Sequence, residues 1–196
     1  MWAALSVSAV TGSVLTACRS ESGNGEVTGF LTVPGCLVAP AGAEACTGGE
    51  TDDPAVCNSF DLDPGFFTLE REGDQAILRL QSGGGDFAQE DGLLLHLADV
   101  SLVRGRLGQP MAVGPEEPLR AALALFERCP GATESFELRG SITFEDFGVR
   151  KGDRVAGTLN ELLVRDGRTG ALLGRLHGNF DFTVRRGPPY RRFDGQ

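Results

Sequence analysis

Histidine, tryptophan and tyrosine are scarce in this 196-residue chain, which holds two, one and one of them. His96 and His177 are the only histidines, and they stand in neither an H-x-x-x-H nor an H-E-x-x-H spacing, so no metal or acid–base motif forms around them. There is no G-x-S-x-G elbow and no S-x-x-K pair. Gly83-Gly84-Gly85 lacks the Lys-Ser that a phosphate loop needs. Basic residues are in deficit, 18 against 27 acidic, and the net charge of −9 excludes a general nucleic-acid binder, which displaces counterions with a basic footprint. After the first twenty positions no apolar run reaches the ~18 residues of a membrane-spanning helix. Neither the 28 glycines nor the 10 prolines recur with a fixed period, which removes collagen and repeat arrays. Together these absences point away from an enzyme, and no cofactor is expected.

The start of the chain is more informative. Residues 1–17 carry no charge and end in small side chains, the form of an export signal. Leu15-Thr16-Ala17-Cys18 resembles a bacterial lipobox, although no Lys or Arg precedes it. The resemblance implies a bacterial lipoprotein: residues 1–17 are removed as a signal peptide, and Cys18 carries thioether-linked diacylglycerol and an acylated amine. At about 0.8 kcal/mol per buried methylene, two or three acyl chains hold a soluble domain on a membrane. Arg19 stands where an Asp would mark inner-membrane retention, so the resemblance implies the outer membrane, facing periplasm or cell surface. Residues 18–25 are polar and rich in Ser and Gly, which predicts a flexible tether, with one β domain over 26–196.

Export places the remaining cysteines, Cys36, Cys46, Cys57 and Cys129, in an oxidising compartment, where an even number predicts two disulfides. Spacing alone allows three connectivities, of which 36–46 with 57–129 is preferred. Zinc is disfavoured because no C-x₂-C pair is present. Glu50, Asp52, Asp53, Asp61 and Asp63 bracket Cys57, and Asp52, Asp53, Asp61 and Asp63 are weak calcium candidates. Calcium prefers six to eight oxygens on a loop. Pro64 interrupts the D-x-D start at Asp61, so solvated loop charge is the better account and no metal is assigned.

Alternation with period two dominates the body. It predicts strands over 27–33, 66–69, 76–80, 93–97, 136–145, 155–164 and 172–184, with turns at Gly73-Asp74 and Gly167 to Gly170. Residues 99–103 suit either a strand extension or a helical turn. Leu119 to Phe126 combines good helix formers with alternation, so helix and strand both stay open there. Long antiparallel strands in succession predict an all-β, antiparallel β-sandwich of about eight strands with disulfides, or alternatively a calycin-like β-barrel.

The end of the chain departs in charge. Arg185, Arg186, Arg191 and Arg192 face only Asp194, a local charge of +3 in an acidic chain. Such a tail either touches an anionic surface or folds back on the acidic body, and Tyr190, Phe193 and Pro188-Pro189 favour the packed form. The expected role is a lipid-anchored envelope protein, a non-enzymatic interaction or structural module with an envelope protein or polymer as partner. The alternative is a small-ligand or carbohydrate-binding lipoprotein, although stacking aromatics for a sugar are nearly absent.

Overall fold

The computed structural model describes residues 17–20, 23–33, 59–83, 89–129 and 136–184. Among the described residues eleven strands form one hydrogen-bonded sheet: β1 (Ala17–Ser20), β2 (Gly23–Leu31), β3 (Ser59–Leu62), β4 (Phe66–Glu72), β5 (Gln75–Gln81), β6 (Asp91–Leu97), β7 (Pro110–Val113), β8 (Leu119–Leu125), β9 (Phe136–Phe147), β10 (Arg154–Arg165) and β11 (Leu172–Thr183). The lateral order is β1-β4-β5-β6-β8-β7-β9-β10-β11-β2-β3, with β8 also paired to β9. Every pairing is antiparallel except a single β7–β8 bridge. The all-β expectation holds. The two-sheet sandwich gives way to one strongly curled sheet, with more strands than the eight foreseen.

The curl follows from the ends of that order. β1 borders β4, β2 borders β11, and only residues 21 and 22 separate β1 from β2. The sheet therefore bends until β4 approaches β11, and the Phe67 and Phe182 rings stack with centroids 5.2 Å apart. Bending puts alternate side chains inside. Ala76, Leu97 and Leu119 align across β5, β6 and β8, as do Leu78, Leu95 and Ala121, and then Leu80, Leu93 and Leu123. All nine are buried. On the other side Phe144 meets Phe147 and Phe180 edge-on, at 5.3 and 5.9 Å. Burying each such Leu or Phe contributes roughly 1.5–3 kcal/mol, which is why period two decides the strands.

Both ambiguous segments resolve by local chemistry. Asp99 caps a short helix, α1 (Val100–Arg104), its carboxylate accepting from the Ser101 and Leu102 amides at 2.7 and 3.3 Å. Two valines of that helix, Val100 and Val103, reach the core. Residues 119–125 are a strand, because Leu119, Ala121, Leu123 and Leu125 all point inward between β6 and β9. Packing overrides the helix propensity of Leu and Ala there. The hairpin turn falls at Gly73 with φ 62°, a conformation that favours glycine.

Residues 18–25, expected to be a tether, are largely strand: β1 covers 17–20 and β2 starts at Gly23. Polar Ser, Asn and Gly side chains look loop-like, yet backbone pairing with β4 and β11 orders them without needing apolar side chains. The short strands β3 and β7 escaped the sequence pattern because four residues are too few for a period. Cys36, Cys46, Cys57, Asp52, Asp53 and the tail beyond residue 184 lie outside the described residues.

Candidate functional site

Cys18 sits in β1, in register with Leu69 of β4, so the candidate lipid-bearing residue belongs to the sheet itself. Among the described residues no helix is long and apolar enough to cross a membrane. Cys129 is 2% exposed, just past β8. Of the calcium candidates, Asp61 and Asp63 are described, and both are exposed. No group of three or more His, Cys, Asp or Glu capable of holding a metal occurs among the described residues.

The histidines lie on the outer surface of the sheet, on different strands. The His177 Nε2 of β11 is 3.2 Å from the Thr28 Oγ1 of β2, and no carboxylate hydrogen-bonds it among the described residues. His96 shares a groove of about 570 Å³ on the outer face of β6 and β8 with Leu94, Arg120, Ala121 and Ala122. Burial first, and then the charge of Arg120, hold the His96 imidazole below its ordinary value. His96 is therefore neutral at neutral pH, next to a fixed cation. Among the described residues nothing assembles a nucleophile, a base and an orienting acid.

Two buried ion pairs were not legible in the sequence. Asp91 opens β6 and is fully buried; its Oδ1 accepts from the Glu127 and Arg128 amides at 3.0 and 3.2 Å. Its Oδ2 lies 3.0 Å from Arg128 Nε. The same guanidinium lies over the Phe60 ring at 5.1 Å and donates from Nη2 to the Asp61 carbonyl. Arg128 thus clasps the β8 end of the sheet to β6 and to β3. Desolvation pushes the Asp91 carboxyl above the ordinary carboxylate value, although Arg128 and the two amides pull the other way. The second pair joins Arg79 of β5, also fully buried, to Glu70 of β4 at 3.1 Å. In the sequence Asp91 stands two residues before the apolar run Leu93-Leu94-Leu95. Only the fold shows that its partner is 37 residues away.

No protein family, curated protein or solved structure matches the chain.

Proposed function

We propose that the chain is a lipid-anchored protein of the bacterial outer membrane, a non-enzymatic interaction or structural module held through Cys18. The observation that carries this is Leu15-Thr16-Ala17-Cys18 at the end of an uncharged apolar stretch. The arrangement of β1 supports it. With Cys18 inside a strand that borders β4, acylation seats the domain directly on the bilayer with no spacer between. In the same reading the sheet closes as a calycin-like barrel, supported by the two-residue step from β1 to β2 and by the Phe67–Phe182 stack.

Replacing Cys18 with Ser is expected to abolish the acyl mass and move the domain from the membrane pellet to the soluble fraction. Retention in a high-salt-washed pellet would sink the anchor. Peptide mapping under non-reducing conditions is expected to find Cys36–Cys46 and Cys57–Cys129. A different partner for Cys129 would overturn that pairing.

A second reading, a carrier of a small apolar ligand, is favoured by the β6–β8 groove, whose volume falls within the ~300–1,000 Å³ of ligand sites. The inward positions are filled by Leu and Phe side chains, so an occupant would sit outside the sheet. Native mass spectrometry of the purified protein decides it: a co-purified small molecule lost in an Ala122→Trp variant supports the carrier.

A further inference from the structure

The outward side chains of β6 and β8 form a hollow with one cation in it. Register sets Leu94 beside Ala122 and His96 beside Arg120, and all four point out because Leu93, Leu95 and Leu123 point in. On β5, Ile77 stands beside His96 and Arg79 beside Leu94. On the other side Ala122 faces Glu137, and β8 parts from β9 beyond Ala121, where β7 enters between them at Val113. The small Ala122 side chain and this fork leave room for the groove of about 570 Å³. Leu94 and Ala122 make its apolar floor, two residues along from His96 and Arg120, which is about 7 Å at roughly 3.3 Å per residue.

Each carboxylate beside the groove already has an arginine. Glu137 accepts from Arg139 Nε at 2.6 Å, and Glu70, in register with Ile77, lies 3.1 Å from Arg79. Gln81, Gly92 and Ala124, the next outward row past Leu94, carry no charge. Arg120 is exposed and, among the described residues, makes no ion pair and no side-chain hydrogen bond. Burial, and then the Arg120 charge, keep the His96 imidazole neutral, so it has one N–H to donate. In a chain of net charge −9 this groove therefore holds a cation without a counter-charge among the described residues.

We infer that the groove binds a small monocarboxylate with an apolar body, its carboxylate on Arg120 and His96 and its body over Leu94 and Ala122. This headgroup preference rests on the carrier reading and deepens it. A guanidinium beside an imidazole N–H favours a carboxylate over an alcohol of the same length, because hydrogen bonds to an ionised acceptor are about twice as strong as neutral ones. An amine of that length would meet Arg120 as a like charge.

The test titrates octanoate, octanol and octylamine into the full chain carrying Cys18→Ser and follows the backbone amide resonances of β6 and β8. The expected result is saturable octanoate binding that shifts those amides, at least about fivefold tighter than octanol, with no binding of octylamine. Arg120→Gln is expected to bring octanoate down to the octanol affinity, with an unchanged melting temperature because Arg120 is an exposed side chain. Ala122→Trp is expected to remove binding of both by filling the hollow. No saturable octanoate binding, shifts confined to other strands, or equal octanoate affinity in the parent and Arg120→Gln would overturn the carboxylate site. The carrier is read separately, as a small molecule co-purified with the unsubstituted chain. A neutral co-purified molecule, alongside equal octanoate affinity in both proteins, overturns the carboxylate preference alone. No binding of any probe and no co-purified molecule overturns both.

Discussion

Replacing Asp91 with Ala is expected to lower the unfolding free energy by about 2–4 kcal/mol. The change leaves the Glu127 and Arg128 amides without their acceptor and strands a guanidinium that was paired at 3.0 Å. Breaking a fully buried pair typically costs about 3–5 kcal/mol. The lower figure applies because the Arg128 side chain is 23% exposed and keeps the Asp61 carbonyl and the Phe60 ring. For a chain of this size the melting temperature should drop by roughly 4–16 °C. Asp91→Asn preserves an acceptor for both amides and should cost less than Ala. The two variants also separate geometry from charge. Because burial raises the Asp91 carboxyl in the folded state, that group binds its proton more tightly folded than unfolded. Its contribution to stability is then largest at or below the ordinary value of 3.8 and declines as pH rises through the folded value. The stability of the parent relative to Asp91→Asn should therefore fall as pH rises above about 4. A difference that grows with pH would mean that Arg128 outweighs desolvation.

Gly140→Ala is expected to cost about 2–4 kcal/mol, from two independent sources. Gly140 has φ 154°, within the region that glycine alone enters readily, and a Cβ there would lie 1.9 Å from the Glu161 carbonyl oxygen on β10. Neither a rotamer change nor a side-chain shift relieves a clash with backbone, so β9 and β10 must separate where they pair. A Cβ on Gly174 or Gly178 of β11 would likewise lie 2.0 Å from the β2 carbonyl oxygen of Phe30 or Glu26. Close approach of this kind is how glycines let strands bend into a tightly curled sheet. Gly167 provides the control, since nothing lies within 4 Å of its Cβ position and its substitution by Ala should be near neutral. Urea unfolding of the two variants compares them directly, and equal midpoints would refute the bending role of Gly140.

Some of the fold was legible residue by residue. Val27, Leu78, Leu95, Ile142, Leu162 and Phe180 each sit at an inward position that alternation marks, and the structure buries every one. The Gly73 turn was equally plain, because Gly73-Asp74 lies between two strand-forming runs. Gly140, Gly174 and Gly178 are plain in the sequence as residues. Their consequence was not visible, since a Cβ clash depends on the partner strand.

Period two reports which face of a strand is apolar, and says nothing about what covers that face. A sandwich covers it with a second sheet, and a curled sheet covers it with itself, so one pattern serves both. The choice between them was tertiary. It was made by the step from β1 to β2, which carries the chain from the β4 border to the β11 border within two residues. The strand at 119–125 and the Asp91–Arg128 clasp were decided in the same way, by partners distant along the chain. What the residues determined by themselves was an all-β chain of alternating strands, with a lipobox-like start and a basic end. Tertiary structure alone turned one sheet into a curled wall and buried Asp91 against Arg128. Side-chain period is a local property, whereas strand neighbourhood and burial of charge depend on contacts between segments far apart in sequence.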